Sequence, residues 1–101
     1  MLHADVLDLI SESPTAHGVF DQKTETRRRV LCTIRSVGMN ESYIARGQGL
    51  APEFVFQLTH SFEYKGEKRC IYHGVEYRVI RTYITESDGI EITVERSNQD
   101  V

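Results

Sequence analysis

Apolar and polar side chains alternate along EFVFQLTHSFEY, residues 53–64. Phe54, Phe56, Leu58, Phe62 and Tyr64 fall on one face, with His60 among them. Val55, Gln57, Thr59, Ser61 and Glu63 fall on the other. A period of two predicts a strand with one buried and one wet face, the usual state of an antiparallel sheet. IEITVER, residues 90–96, repeats the pattern, with Ile90, Ile92 and Val94 inward and Glu91, Thr93 and Glu95 outward. In RRRVLCTIRSV, residues 27–37, Val30, Cys32 and Ile34 share a face. Leu31 and Val37 lie on the opposite face, which predicts cover on both sides for part of that strand.

Turn chemistry separates these runs. RCIYHGVEYRVIRTYI holds two strands, residues 69–72 and 75–84, joined by His73-Gly74. A two-residue hairpin loop needs positive φ, which glycine supplies and histidine tolerates better than most residues. YKGEK and ESDGI mark further turns at Gly66 and at Asp88-Gly89. The expected strands are residues 4–10, 24–37, 53–64, 69–72, 75–84 and 90–96. Six short antiparallel strands predict a mainly β fold, a small barrel whose closure removes exposed edges. Two segments break the pattern. Residues 11–25 are polar, contain Pro14 and Gly18, and read as a long exposed loop. Residues 38–52, the long loop between the second and third strands, allow one short helix. Asn40 is its expected N-cap, Glu41 lies in its first turn, and Gly47 ends it, with Gly49 and Pro52 making a flexible exit. Long connections in a small β domain are uncommon unless they carry function.

Composition narrows the class. The chain has 101 residues, 40% hydrophobic and 27% charged, which fits a single globular domain over residues 1–101. A net charge of −3 argues against a dedicated nucleic-acid binder. No apolar run is long enough for a transmembrane helix, and the first residues lack the basic start and apolar stretch of a secretory leader. Cys32 and Cys70 sit in apolar strands and are expected to be buried free thiols. His3, His17, His60 and His73 are scattered, with no metal-ligand spacing.

Candidate chemistry is sparse. Glu63, Glu67 and Glu76 fall near turns or on wet faces, where they are expected to be solvated. Ser42, Ser61 and His60 form no triad, and His60 on an apolar face reads as a hydrogen-bonded core histidine. The glycines of RGQGLAP lack the lysine and hydroxyl residue of a phosphate loop. No enzymatic activity, cofactor or metal is expected. Two basic features remain. Arg27, Arg28 and Arg29 open a strand, either as ion-paired charges that discourage aggregation or as a contact to protein or phosphate. Arg46 serves either as a helix C-terminal charge or as a contact to DNA or a neighbouring subunit.

Three stretches carry a resemblance: SVGMNESY leading to the short helix, GLAPEFVF leading to a strand, and FEYKGEK followed by YHGVEYRVIRTY and an acidic-glycine turn. In this order and spacing they resemble the head–tail joining proteins of tailed phages, also called head completion, head closure or stopper proteins. DVLDLISES fits that family's opening strand. The resemblance covers nearly the whole chain and is weakest over residues 12–24. It implies a small β-barrel that forms a ring, typically a hexamer in the virion, below the portal and adaptor rings. Such a ring closes the DNA exit channel after packaging and docks the tail or tail-terminator protein. It implies transient contact with packaged double-stranded DNA, no membrane, and assembly in the host cytoplasm. The channel loop would be residues 38–52, with Gly38, Asn40, Arg46, Gly47, Gln48 and Gly49. Arg27, Arg28 and Arg29 would face other subunits or rings. The competing readings are a tail terminator or another connector ring component, a single-stranded nucleic-acid-binding barrel with aromatics on a wet face, and a small enzyme.

Overall fold

The computed structural model describes residues 5–14 and 23–97. Six strands close a barrel in the order β1-β2-β3-β6-β5-β4, and every neighbouring pair is antiparallel. They are β1 (Asp5–Pro14), β2 (Lys23–Ser36), β3 (Pro52–Leu58), β4 (Arg69–Tyr72), β5 (Val75–Ile84) and β6 (Ile90–Arg96). One helix, α1 (Met39–Gly47), and a 3-10 turn (Ser61–Glu63) complete the described chain.

The alternation of the sequence becomes the lumen of the barrel. Leu7, Leu9, Val30, Cys32, Phe56, Leu58, Cys70, Tyr77, Ile90, Ile92 and Val94 form one buried cluster. Phe54, Phe56, Tyr72 and Tyr77 pack ring against ring inside it, with centroids 5.1–6.4 Å apart. Cys32 and Cys70 are buried free thiols on β2 and β4, the two neighbours of β1. Burial pushes Cys32 up to about 11 and Cys70 up to about 12. The His73-Gly74 loop joins β4 to β5 with positive φ at both residues, 52° and 79°, as a type I′ turn requires.

Several expectations need correction. Residues 11–14 and 23, read as loop, and residues 24 and 25, which fell in both the expected loop and the expected strand, extend β1 and β2 into a paired arm, with Ser11 opposite Thr26 and Glu12 opposite Glu25. The arm is polar on both faces, so it offered no alternation to read. Two carboxylates opposite each other repel, and Arg69 offsets this by bonding Glu12 (2.6 Å), Glu25 (2.7 Å) and Glu76 (3.2 Å). Residues 15–22 of the expected loop, with Gly18, lie outside the described residues. Leu31, expected under cover, is 64% exposed. β3 stops at Leu58 rather than at residue 64, so His60 is exposed and not a core residue. There Ser61 donates its backbone N–H to the Asp88 carbonyl (2.8 Å), and the chain turns across the β5–β6 hairpin. Finally, Thr93 and Glu95 point outward from β6 as expected but are buried, not wet.

Glu67, expected on a solvated surface, is also buried. It accepts a hydrogen bond from Arg28 (2.6 Å) and one from the Lys65 backbone N–H (2.8 Å). Burial by itself would raise the carboxyl, but these two donors, with its own backbone N–H and the Arg28 charge, outweigh it and hold Glu67 below its ordinary 4.5. A carboxyl lowered by folding adds stability above its unfolded pKa and loses it as pH falls through the folded value. Thermal melts from about pH 7 to about pH 2 should therefore lose Tm mainly below 4.5. Glu67→Gln should shrink that loss. It should not abolish it, because the Tyr72 hydroxyl also holds Asp5 low. An unchanged acid limb in Glu67→Gln would show that the Arg28–Glu67 pair adds nothing to stability.

Candidate functional site

The connection from β2 to β3 exposes two large apolar side chains, Tyr43 and Ile44. Helix α1 begins at Gly38, which is extended (φ −66°, ψ 155°) and makes no side-chain cap. The expected cap, Asn40, lies inside the first turn instead, because helical geometry starts already at Met39. The helix ends at Gly47 as expected, and the cap that closes it lies two residues further on. The Leu50 N–H bonds the Ala45 carbonyl (2.9 Å) and the Gly49 N–H bonds the Arg46 carbonyl (3.0 Å). This is a Schellman cap with Gly49 at its left-handed position, φ 80°, where a side chain would be strained. Gly47 is the last helical residue and Gln48 the C-cap. The expected flexible exit is thus a defined cap.

The far end of the connection is pinned. Glu95, buried on the outer face of β6, accepts the Ala51 backbone N–H (3.0 Å) and pairs with Arg78. A cavity of about 260 Å³ separates α1 from the barrel wall, lined by Ile44, Ala45, Leu50, Pro52, Ile80 and Thr93. Val55 and Thr93, paired across β3 and β6, are buried on this outer face. Beyond the cavity α1 shows Tyr43 (80% exposed) and Ile44 (64%) to solvent. Arg46 is exposed in the last turn, where a cation favours the helix dipole.

The other sequence candidates lie elsewhere. Arg27 and Arg29 point outward and are exposed, and Arg29 bonds Asp8 (3.0 Å). Arg28 is turned to Glu67 as described. From Arg29 to the end of β2 at Ser36 the strand spans roughly 24 Å, so the arginines and α1 sit toward opposite ends of the barrel. Sequence reading missed the exposed stack of His60 on Phe62, with centroids 5.1 Å apart and planes at 10°. It was hidden because both residues continued the apolar alternation of β3.

Phe54, Phe56, Tyr72 and Tyr77 pack on one another inside the barrel, so these four form no outward stacking platform for single-stranded nucleic acid. No helix among the described residues is long and apolar enough to cross a membrane. Comparison with protein-family models gives no match, and comparison with curated proteins gives none either.

Proposed function

We propose that this chain is a head–tail joining protein of a tailed phage, a ring subunit that closes the DNA exit channel and presents a docking surface to the tail. The observation that carries this reading is a closed barrel with unlike surfaces at its two ends: a helix that exposes Tyr43 and Ile44 at one and exposed arginines (Arg27, Arg29) at the other. Rings that close by rotation use two different patches of each subunit, and a subunit stacked between other rings needs contacts at both ends. The order and spacing of the sequence motifs support the same assignment.

In this reading the channel element is α1 with its exit, held by the Schellman cap and by Glu95. Its movement is then a pivot of a short rigid helix and not the collapse of a loose loop. Arg46 and Gln48 lie in the last turn and cap of that helix, where they reach DNA or a neighbouring subunit. The partners are other copies of the chain, the adaptor or portal ring, and the tail or tail-terminator protein. The location is the virion.

The test is electron microscopy of particles made when the gene is disrupted. The expected result is separate tails beside heads that have lost their DNA. Normal infectious particles would overturn the proposal.

A further inference from the structure

The structure assigns a second interaction surface to the outer half of β5, and the partner it fits is a second copy of this chain. β4 is four residues long and pairs with β5 only from Val75 to Arg78. β5 runs on to Ile84 with β6 on one side only. Past Val79, whose N–H still reaches the Lys68 carbonyl (2.9 Å), no backbone bond joins β5 to any other described strand. The barrel is therefore closed at its waist and open along residues 82–84.

The direction of the open groups follows from alternation. Thr85 donates its N–H to the Gly89 carbonyl (2.9 Å) and so faces β6. Successive residues of a strand point their N–H and C=O groups to opposite sides. Tyr83 therefore faces β6, and Thr82 and Ile84 turn theirs away from the sheet. Side chains on both faces of this segment are also open: Tyr83 is 59% exposed, Ile84 is 60% exposed, and Thr82 is exposed. Residues 82–84 carry none of the proline, lysine or inward charge that blunts natural edges.

The segment is complementary to itself. Two copies placed antiparallel about Tyr83 set Thr82 opposite Ile84 of the second copy, and Ile84 opposite its Thr82. Both are hydrogen-bonded pairs. Tyr83 then meets its own counterpart across a close non-bonded pair, an arrangement that favours aromatic side chains. Charge agrees with this register. The strand is basic at its start (Arg78, Arg81), and the turn that follows it is acidic (Glu86, Asp88). Antiparallel pairing brings the basic end of one copy beside the acidic end of the other and sets no like charges opposite each other.

The inference does not rest on the head–tail reading, and its test uses the purified chain alone. Sedimentation of the full chain should show mass rising with concentration from 11.6 kDa toward twice that value. Thr82→Pro removes an outward N–H and leaves the β6 ladder intact, so it should stay folded by circular dichroism and remain monomeric. Thr82→Lys, which keeps the backbone N–H, should weaken association in the same direction. Tyr83→Cys should form a covalent dimer roughly tenfold faster than Tyr43→Cys, a thiol placed at the exposed helix, because pairing raises its effective concentration. Facing residues of paired strands also meet the Cα spacing of a disulfide. The native thiols are buried and do not compete. A chain that stays monomeric at every concentration, equal cross-linking at the two positions, or association untouched by Thr82→Pro and Thr82→Lys would each overturn the inference.

Discussion

Phe56→Ala is expected to destabilise the protein by about 3–5 kcal/mol, the range for removing a fully buried aromatic ring. Phe56 has no exposed surface and is the largest fully buried side chain among the described residues. Its ring lies 5.1 Å from Tyr72, 6.2 Å from Phe54 and 6.4 Å from Tyr77, so it joins β3 to β4 and β5 across the lumen. The cost depends on how far the walls can close on the space left behind. Here they cannot close far, because Phe56 is paired with Ile34 on one side and Ile92 on the other within a closed ladder. Drawing the wall inward would strain hydrogen bonds around the barrel. A domain of this size loses about 4–8 °C of Tm per kcal/mol, so the variant should melt on the order of 20 °C lower. Urea denaturation measures the free energy directly. Phe56→Leu, which keeps most of the volume, should lose far less. A loss below about 1 kcal/mol for alanine would mean that the barrel collapses freely and that the lumen is not the source of stability.

The same lumen explains how much of the fold was legible. Strands β5 and β6 were read to their last residue, because turn residues bound them and one face of each is apolar. The β1–β2 arm was not legible. Its pairing is made by backbone bonds and by Arg69 among three glutamates, and neither leaves a hydrophobic period. Glu67 and Glu95 show the matching failure of a polarity argument. Each is a charged residue in a position that reads as wet, and each is buried because it bonds a backbone N–H and an arginine from a distant part of the chain. Long-range ion pairs have no local spacing to detect.

Of the candidate site, the place of the helix and its last residue, Gly47, were legible, while its N-cap and the residue that carries its C-terminal cap were not. Gly47 was read as the helix end and Gly49 as part of a flexible exit, and only the φ of Gly49 shows that it carries the cap. The run Arg27, Arg28 and Arg29 looked like one unit. Strand alternation divides it, sending Arg28 to Glu67 and the other two outward. Open backbone on β5 had no sequence signal at all. It follows from the short length of β4, a property of the neighbour and not of β5 itself.

Gly89→Ala is expected to cost about 2–3 kcal/mol, through crowding and not through backbone strain. A Cβ at Gly89 would lie 2.8 Å from the Leu58 carbonyl oxygen, 3.2 Å from that of Thr59 and 3.3 Å from the Thr85 hydroxyl. The two closest atoms belong to the backbone, so no rotamer change relieves the contact. Relief requires the end of β3 to move away from the β5–β6 hairpin. That movement would pull on the last rung of the β3–β6 ladder, Leu58 with Ile90, and on the Ser61 N–H bond to the Asp88 carbonyl. The damage should therefore be local as well as global. Amide hydrogen exchange at Ser61 should quicken by more than the drop in global stability accounts for, while amides in β1 and β2 follow the global loss. The His60–Phe62 stack, carried by the same turn, should lose its fixed ring geometry in NMR spectra. Asp88, which holds φ 69° next door, gives the contrast. Asp88→Asn keeps a residue that tolerates the left-handed region, places no atom against Leu58, and should change stability by less than about 1 kcal/mol. If Gly89→Ala instead melted like the native chain, the hairpin tip would be free to shift, and the turn that ends β3 would be set by Ser61 and Asp88 alone.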